Sequence, residues 1–458
     1  MIFDSETAAI RFGTGLSPQI APPASANDML ARLAGPDVMA QRFPIDGFTR
    51  VEDVAWEIRQ LNRDLRKNPA LTETNKEKIR LLRKQARRWQ GDWLRATLAR
   101  GAYTADGMRE RLVRFWADHF TVEGKRAITR TAVSTYIEDA IRPHITGRFA
   151  DLLVAAEFHP MMLLYLDQVN SVGPNSVAAA RKPGRGLNEN LAREVLELHT
   201  LGVNGAYTQK DVFELAKLFA GLTYRRGKGF VYGANMAEPG AETVLGKSYG
   251  ARFQDLSHVT DFLHDLAVHP DTARHLARKL VVHFVSDTPD AGLVDAVAAA
   301  YLASGGDLMV TYRAMLEHPV AWGMPAEKVK LPIDFIISAI RALDVPPERL
   351  AKMRWKQMRN LVAAPLGLMG QPWQDPVGPD GWPEQPEHWI TPQGLAARIQ
   401  WAMTVPVLIR PDLPDPRLFV DTALGKRASD RLRFAAGAAE LKSDGVGLIL
   451  ASPEFQRT

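Results

Sequence analysis

The stretch Leu187–Thr223, LNENLAREVLELHTLGVNGAYTQKDVFELAKLFAGLT, decides the fold class of this chain. On a wheel of about 100° per residue, Leu191, Val195 and Leu198 form one apolar stripe, with Ala192 and Leu196 beside it. Val212, Leu215, Ala216 and Phe219 form a second stripe at the same spacing. Two amphipathic helices follow, joined by a short turn that contains Gly202 and Gly205. Asn188 and Thr208 are the expected N-caps, and Gly202 and Gly221 the expected stops. Thr208 and Asp211 have the spacing of a capping box.

Glu189, Arg193 and Glu197 recur every fourth residue on the opposite arc, with Asn190 and Thr200. That ladder reads as a solvated face. Two residues do not fit it. His199 falls on the apolar arc between Val195 and Ala192, and Glu194 lies at its edge beside Leu198 and Leu201. A carboxylate so near a core must be paired or must change its pKa. A structural ion pair and a satisfied core histidine are one reading; acid–base chemistry is the other.

The same period runs outward in both directions. Helices are expected at Val51–Arg66, Asn75–Arg100, Met108–Phe120, Ala132–Ile141, Phe149–Ala156, Ser257–Val268, Asp271–Val285, Ala291–Ala303, Leu308–Glu317, Ile333–Leu343, Glu348–Val362 and Gly394–Ala402. Asp271 is the expected cap of its helix. Strand signals are few: Phe230–Tyr232 and Thr243–Leu245, separated by AEPG, suggest one hairpin. The expected architecture is mainly α, a multi-helical globular bundle with at most one small β-hairpin and long ordered loops. One domain over 1–458 is expected, with residues 1–105 as a candidate helical subdomain. The Pro- and Trp-rich segment Gly370–Gln393 is expected to be ordered, because three exposed indoles would be costly.

Composition narrows the chemistry. The 458 residues carry a net charge of +5 and no cysteine. Disulfides, Cys-ligated metals and thiol nucleophiles are therefore excluded. No apolar window approaches the roughly 20 residues of a membrane span, and the acidic start is unlike a signal peptide, so a cytoplasmic chain is expected.

Other motifs are weaker. In RFWADHF (Arg114–Phe120), His119 shares a helical face with Phe115 and Trp116. His275, Lys279 and His283 run at helical spacing, and the intervening lysine argues against a metal pair. No metal set is expected. GAETVLGKS (Gly240–Ser248) misses the phosphate-loop spacing by one residue. Lys76–Arg100 is basic, with Trp89 and Trp93 four apart; nucleic acid or an anionic membrane would suit it, as would a plain surface helix. Nucleic-acid binding at physiological salt is not expected. Arg181–Gly186, which includes Arg185, runs basic into the helix that follows Asn188, a candidate anion site.

These segments together resemble the bacterial family called domain of unknown function 1800. The likeness runs from AAIRFGTGLSP (Ala8–Pro18) through FWADHFTV (Phe115–Val122), HPMMLLYLDQVNSVGPNS (His159–Ser176) and GLNENLAREVLELHTLGVNGAYTQKDV (Gly186–Val212). It ends in MGQPW (Met369–Trp373), GPDGWPE (Gly378–Glu384) and LASPEFQR (Leu450–Arg457). The resemblance implies a mainly helical protein without an established activity, often encoded beside a protein of the domain of unknown function 1501 family, which looks related to alkaline phosphatases and sulfatases. The family pattern often has His before EPG, where this chain has Ala237. The resulting expectation is a polar pocket with Glu194, His199 and His119 as catalytic candidates and Asn190, Arg193, Arg185 and Asn188 as ligand contacts. Hydrolysis or transfer on an anionic or polysaccharide-like substrate is the expected chemistry. The alternatives are a non-catalytic partner or maturation factor for the neighbouring gene's product, and a nucleic-acid or membrane-surface binder.

Overall fold

The computed structural model describes residues 3–67, 72–125, 129–181, 184, 186–252, 254–323 and 327–458. Helices dominate it, as the periodicity requires. Phe48–Lys67 and Thr72–Tyr103 form a long hairpin. Gly107–His119 follows, then Phe149–Glu157, Gln209–Leu218, Leu256–Ala267 and Pro270–Phe284. Ala291–Ala303 and Leu308–Glu317 match their expected limits.

Two hairpins form where one was expected. Leu222–Arg225 pairs with Gly229–Tyr232, and Gly240–Val244 with Lys247–Ala251. Each strand pairs with its nearest neighbour because each has its own turn. Leu245 and Gly246 both take positive φ, as a tight two-residue hairpin loop requires. Pairing across AEPG would have required a longer closure.

Apolar side chains collect in two cores. The first runs from Ala8 to Trp322 and includes Trp93, Trp116, Phe149, Leu191 and Phe284. The second joins Leu94, Leu98 and Ala102 to side chains between Ile333 and Phe455. Every residue of Pro332–Ala342 is buried. A Cβ at Gly101 would lie 2.7 Å from Ile337, so glycine there lets the Thr72–Tyr103 helix press against this central helix. No helix among the described residues is long and apolar enough to cross a membrane.

Candidate functional site

Asn190–Glu194 begins as an α-helix and continues as a π-helical turn, Val195–Thr200. The Leu201 amide donates to the Leu196 carbonyl at 3.0 Å, a five-residue step. Such turns re-aim side chains and often mark functional regions. Gly202 ends the helix at φ +88°, and a Cβ there would meet the His275 ring at 2.9 Å. Thr208 and Asp211 form the expected capping box. The cap position falls on Glu189, not on the expected Asn188, which instead makes a turn just ahead of the helix: its Oδ1 accepts from the Asn190 amide at 2.9 Å, and its Nδ2 donates to the Leu166 carbonyl.

His199 is buried, and its Nδ1 lies 2.7 Å from Glu157 Oε1, also buried. Glu157 ends its own helix, where the dipole disfavours negative charge, so the histidine is its main compensation. Two further imidazoles close the end of the π-turn. His119 Nε2 donates to the His199 carbonyl at 3.1 Å, and His275 Nε2 to the Leu198 carbonyl at 3.1 Å. Carbonyls at a helix end have no partner within the helix, and these two rings supply one. Burial first, then Lys279, pushes His275 down to about 4 and His119 well below the usual imidazole range. Both rings are therefore neutral donors at pH 7.

A second polar cluster shares the same two helices. Arg111 donates to His283 Nε2 at 3.2 Å. A guanidinium can only donate, so the His283 proton sits on Nδ1, which faces Glu384 Oε1 at 2.6 Å. Lys328 bridges Glu384 and Asp287, 2.7 Å from each. Arg114 lies 2.7 Å from Asp334 on the central buried helix. Burial opposes the Glu384 charge, but His283 and Lys328 outweigh it and hold the carboxyl far below its usual range.

Glu384 belongs to the Gly370–Gln393 strap, which is ordered as expected. Trp389 is buried, and its indole donates to the Pro383 carbonyl at 2.9 Å. Gln374 donates to Ser134, and Gln371 accepts from the Ile333 amide. The Trp382 amide donates to Asp118 Oδ1 at 2.8 Å. Gly381 makes that approach possible: it sits at φ +78°, and a Cβ there would lie 2.6 Å from the same carboxylate. Burial first pushes the Asp118 carboxyl up to about 7, against the opposing pull of Lys279 and the Trp382 amide.

Strap and helices line a partly open cavity of about 130 Å³. Arg114, Asp118, His283, Gln374, Trp373 and Trp382 contribute to walls that are otherwise mostly aliphatic. Two arginine–carboxylate pairs border it, Arg100 with Glu138 and Arg142 with Glu110.

The sequence-derived candidates divide. His119 and His199 come together, with ring centroids 6.0 Å apart. Glu194 is half-buried; burial raises its pKa, while His199 pulls the other way. Arg193 instead bonds Glu189 and Gln209, at 3.2 and 2.9 Å, and Asn190 is exposed. Arg185 lies outside the described residues, as do Lys182 and Pro183 of the proposed anion loop. Sequence reasoning missed Glu157, Asp118 and Glu384. Glu157 did leave a signal: it is an acid in the middle of the apolar run Ala150–Leu166, away from the helix start that explains Asp151. Among the described residues, no group of three or more His, Asp or Glu could hold a metal ion.

Fold and site thus define a mainly helical protein with one sealed polar cluster and one that borders a cavity. The chain belongs to the family described as "Protein of unknown function (DUF1800)", whose model matches residues 8–457. No curated protein and no solved structure matches it.

Proposed function

We propose that the cavity beneath the strap is an active site for hydrolysis or transfer on a polysaccharide-like substrate, with Asp118 as proton donor. The observation that carries this reading is the presence of Asp118, Trp373 and Trp382 around one cavity. Sugar rings offer apolar faces that stack on indoles, and hydroxyls that need fixed polar partners. Gln374 and Arg114 are such partners in the same walls. A carboxyl pushed up to about 7 keeps a large protonated fraction near neutrality, the state a general acid needs. In this reading Glu157, His199 and His119 hold the structure behind the cavity and touch no substrate.

The test is titration with a panel of neutral and acidic oligosaccharides, read by tryptophan fluorescence and by release of new chain ends. Trp382→Ala should lose binding. Asp118→Asn should bind as the parent does and lose about 10²–10⁴-fold in turnover, the usual contribution of a general acid. Equal turnover by parent and Asp118→Asn would remove Asp118 from the chemistry. No response to any saccharide would remove the substrate class.

A further inference from the structure

The long hairpin concentrates the charge of the whole chain. Residues 48–103 hold 14 Lys and Arg against 7 Asp and Glu, and the remaining sequence holds 43 against 45. Part of the excess lies on one face, while Lys78 and Arg88 are exposed elsewhere on the same helix. Lys76, Arg80, Arg83, Lys84 and Arg87 fall within roughly a 100° arc, over roughly 17 Å of helix axis. All five are exposed. Lys76 and Arg80 pair with Glu73 and Glu77 along their own helix. Arg83, Lys84 and Arg87 make no ion pair among the described residues, so their charge faces outward.

We propose that this face docks the protein on an anionic phospholipid bilayer. Two observations favour a bilayer over nucleic acid. Trp89 and Trp93, the aromatic residues interleaved with the charges, are only 8% and 2% exposed, so they cannot stack on bases. The apolar side chains that do reach solvent suit a headgroup layer. Leu81, beside the stripe, is 51% exposed, and Trp56 on the partner helix is 40% exposed with Arg226 stacked 3.7 Å over its ring. The attraction is additive, about fivefold in partitioning for each cation near the surface, and is screened by salt.

The test is co-sedimentation of the full chain with phosphatidylcholine vesicles, with and without phosphatidylglycerol, at low and high salt. Binding is expected only to the anionic vesicles, weakening as salt rises. The triple variant R83E/K84E/R87E should reduce it by more than 100-fold while melting as the parent does, because all three side chains lie in solvent. Unchanged binding by that variant would overturn the proposal, as would binding to neither vesicle. A preference for duplex or single-stranded DNA over the anionic vesicles would assign the stripe to nucleic acid and overturn it equally.

Discussion

Two buried histidine–carboxylate pairs use the same chemistry but are closed in different ways. His199 and Glu157 are held between helices, and both side chains are 1% exposed. His283 and Glu384 are as close, yet Glu384 arrives on the strap and its side chain is 23% exposed. Opening the first pair means separating packed helices. Opening the second means lifting a loop segment, anchored by the buried Trp389 and a few polar contacts, and leaves the helices packed. What covers a charged pair therefore decides whether it can take part in binding. The sealed pair reads as a fastening, and His283 of the strapped pair lines a cavity with room for a ligand.

The sharpest way to break this contrast is to remove one acid from each pair. Glu157→Ala leaves an unpartnered polar ring in the core and should cost roughly 3–5 kcal/mol in urea unfolding. Glu384→Ala strips Lys328 and His283 of a shared partner near a surface, and should cost about 1–3 kcal/mol. The two variants should also differ in kind. Limited proteolysis should begin to cut within Gly370–Gln393 in Glu384→Ala and leave that segment resistant in mildly heated Glu157→Ala. Equal losses with equal cutting would erase the distinction.

Gly381→Ala tests the strap's contact with Asp118. The positive φ and the 2.6 Å approach predict a loss of about 1–3 kcal/mol, with the strap displaced. The pH response of Asp118 sharpens the same point. Its folded pKa, about 7, exceeds the value near 4 of an unfolded aspartate, so folding takes up a proton between them. The stability it contributes is complete below pH ~4 and is lost as pH rises to about 7. Asp118→Asn should flatten that part of the melting-temperature profile. The smallest effect belongs to the surface: Arg193→Ala should cost only about 0.2–0.5 kcal/mol, as a half-exposed ladder pair.

Much of the fold was legible because amphipathic spacing is local. Ala291–Ala303 and Leu308–Glu317 fell where the pattern put them, and the wheel placed His199 inside. The misreadings share a cause, contacts that a local pattern does not contain. The expected helix Glu348–Val362 breaks after Ala351 because Arg95 takes the Ala351 and Met353 carbonyls from a distant helix. Asp271 is not the cap of its helix; His269 is, since its ring accepts from the Asp271 amide while Pro270 occupies the first turn. The partners that give His199 and His283 their meaning, Glu157 and Glu384, come from a helix end and a loop. Nothing in the spacing of either histidine points to them. The π-turn was equally hidden, because a wheel with a constant angle has no place for an extra residue.

The Thr72–Tyr103 helix has a consequence for how the molecule comes apart. At 32 residues it extends about 48 Å. Its middle, through Trp93, packs in one core, and its end, from Leu94 to Ala102, packs in the other. A rod shared in this way is a mechanical tie. Melting either core removes half of the rod's lateral support, and a helix deprived of one side frays toward the other. The two cores should therefore lose structure together, in a single calorimetric transition, with the rod carrying the cooperativity between them.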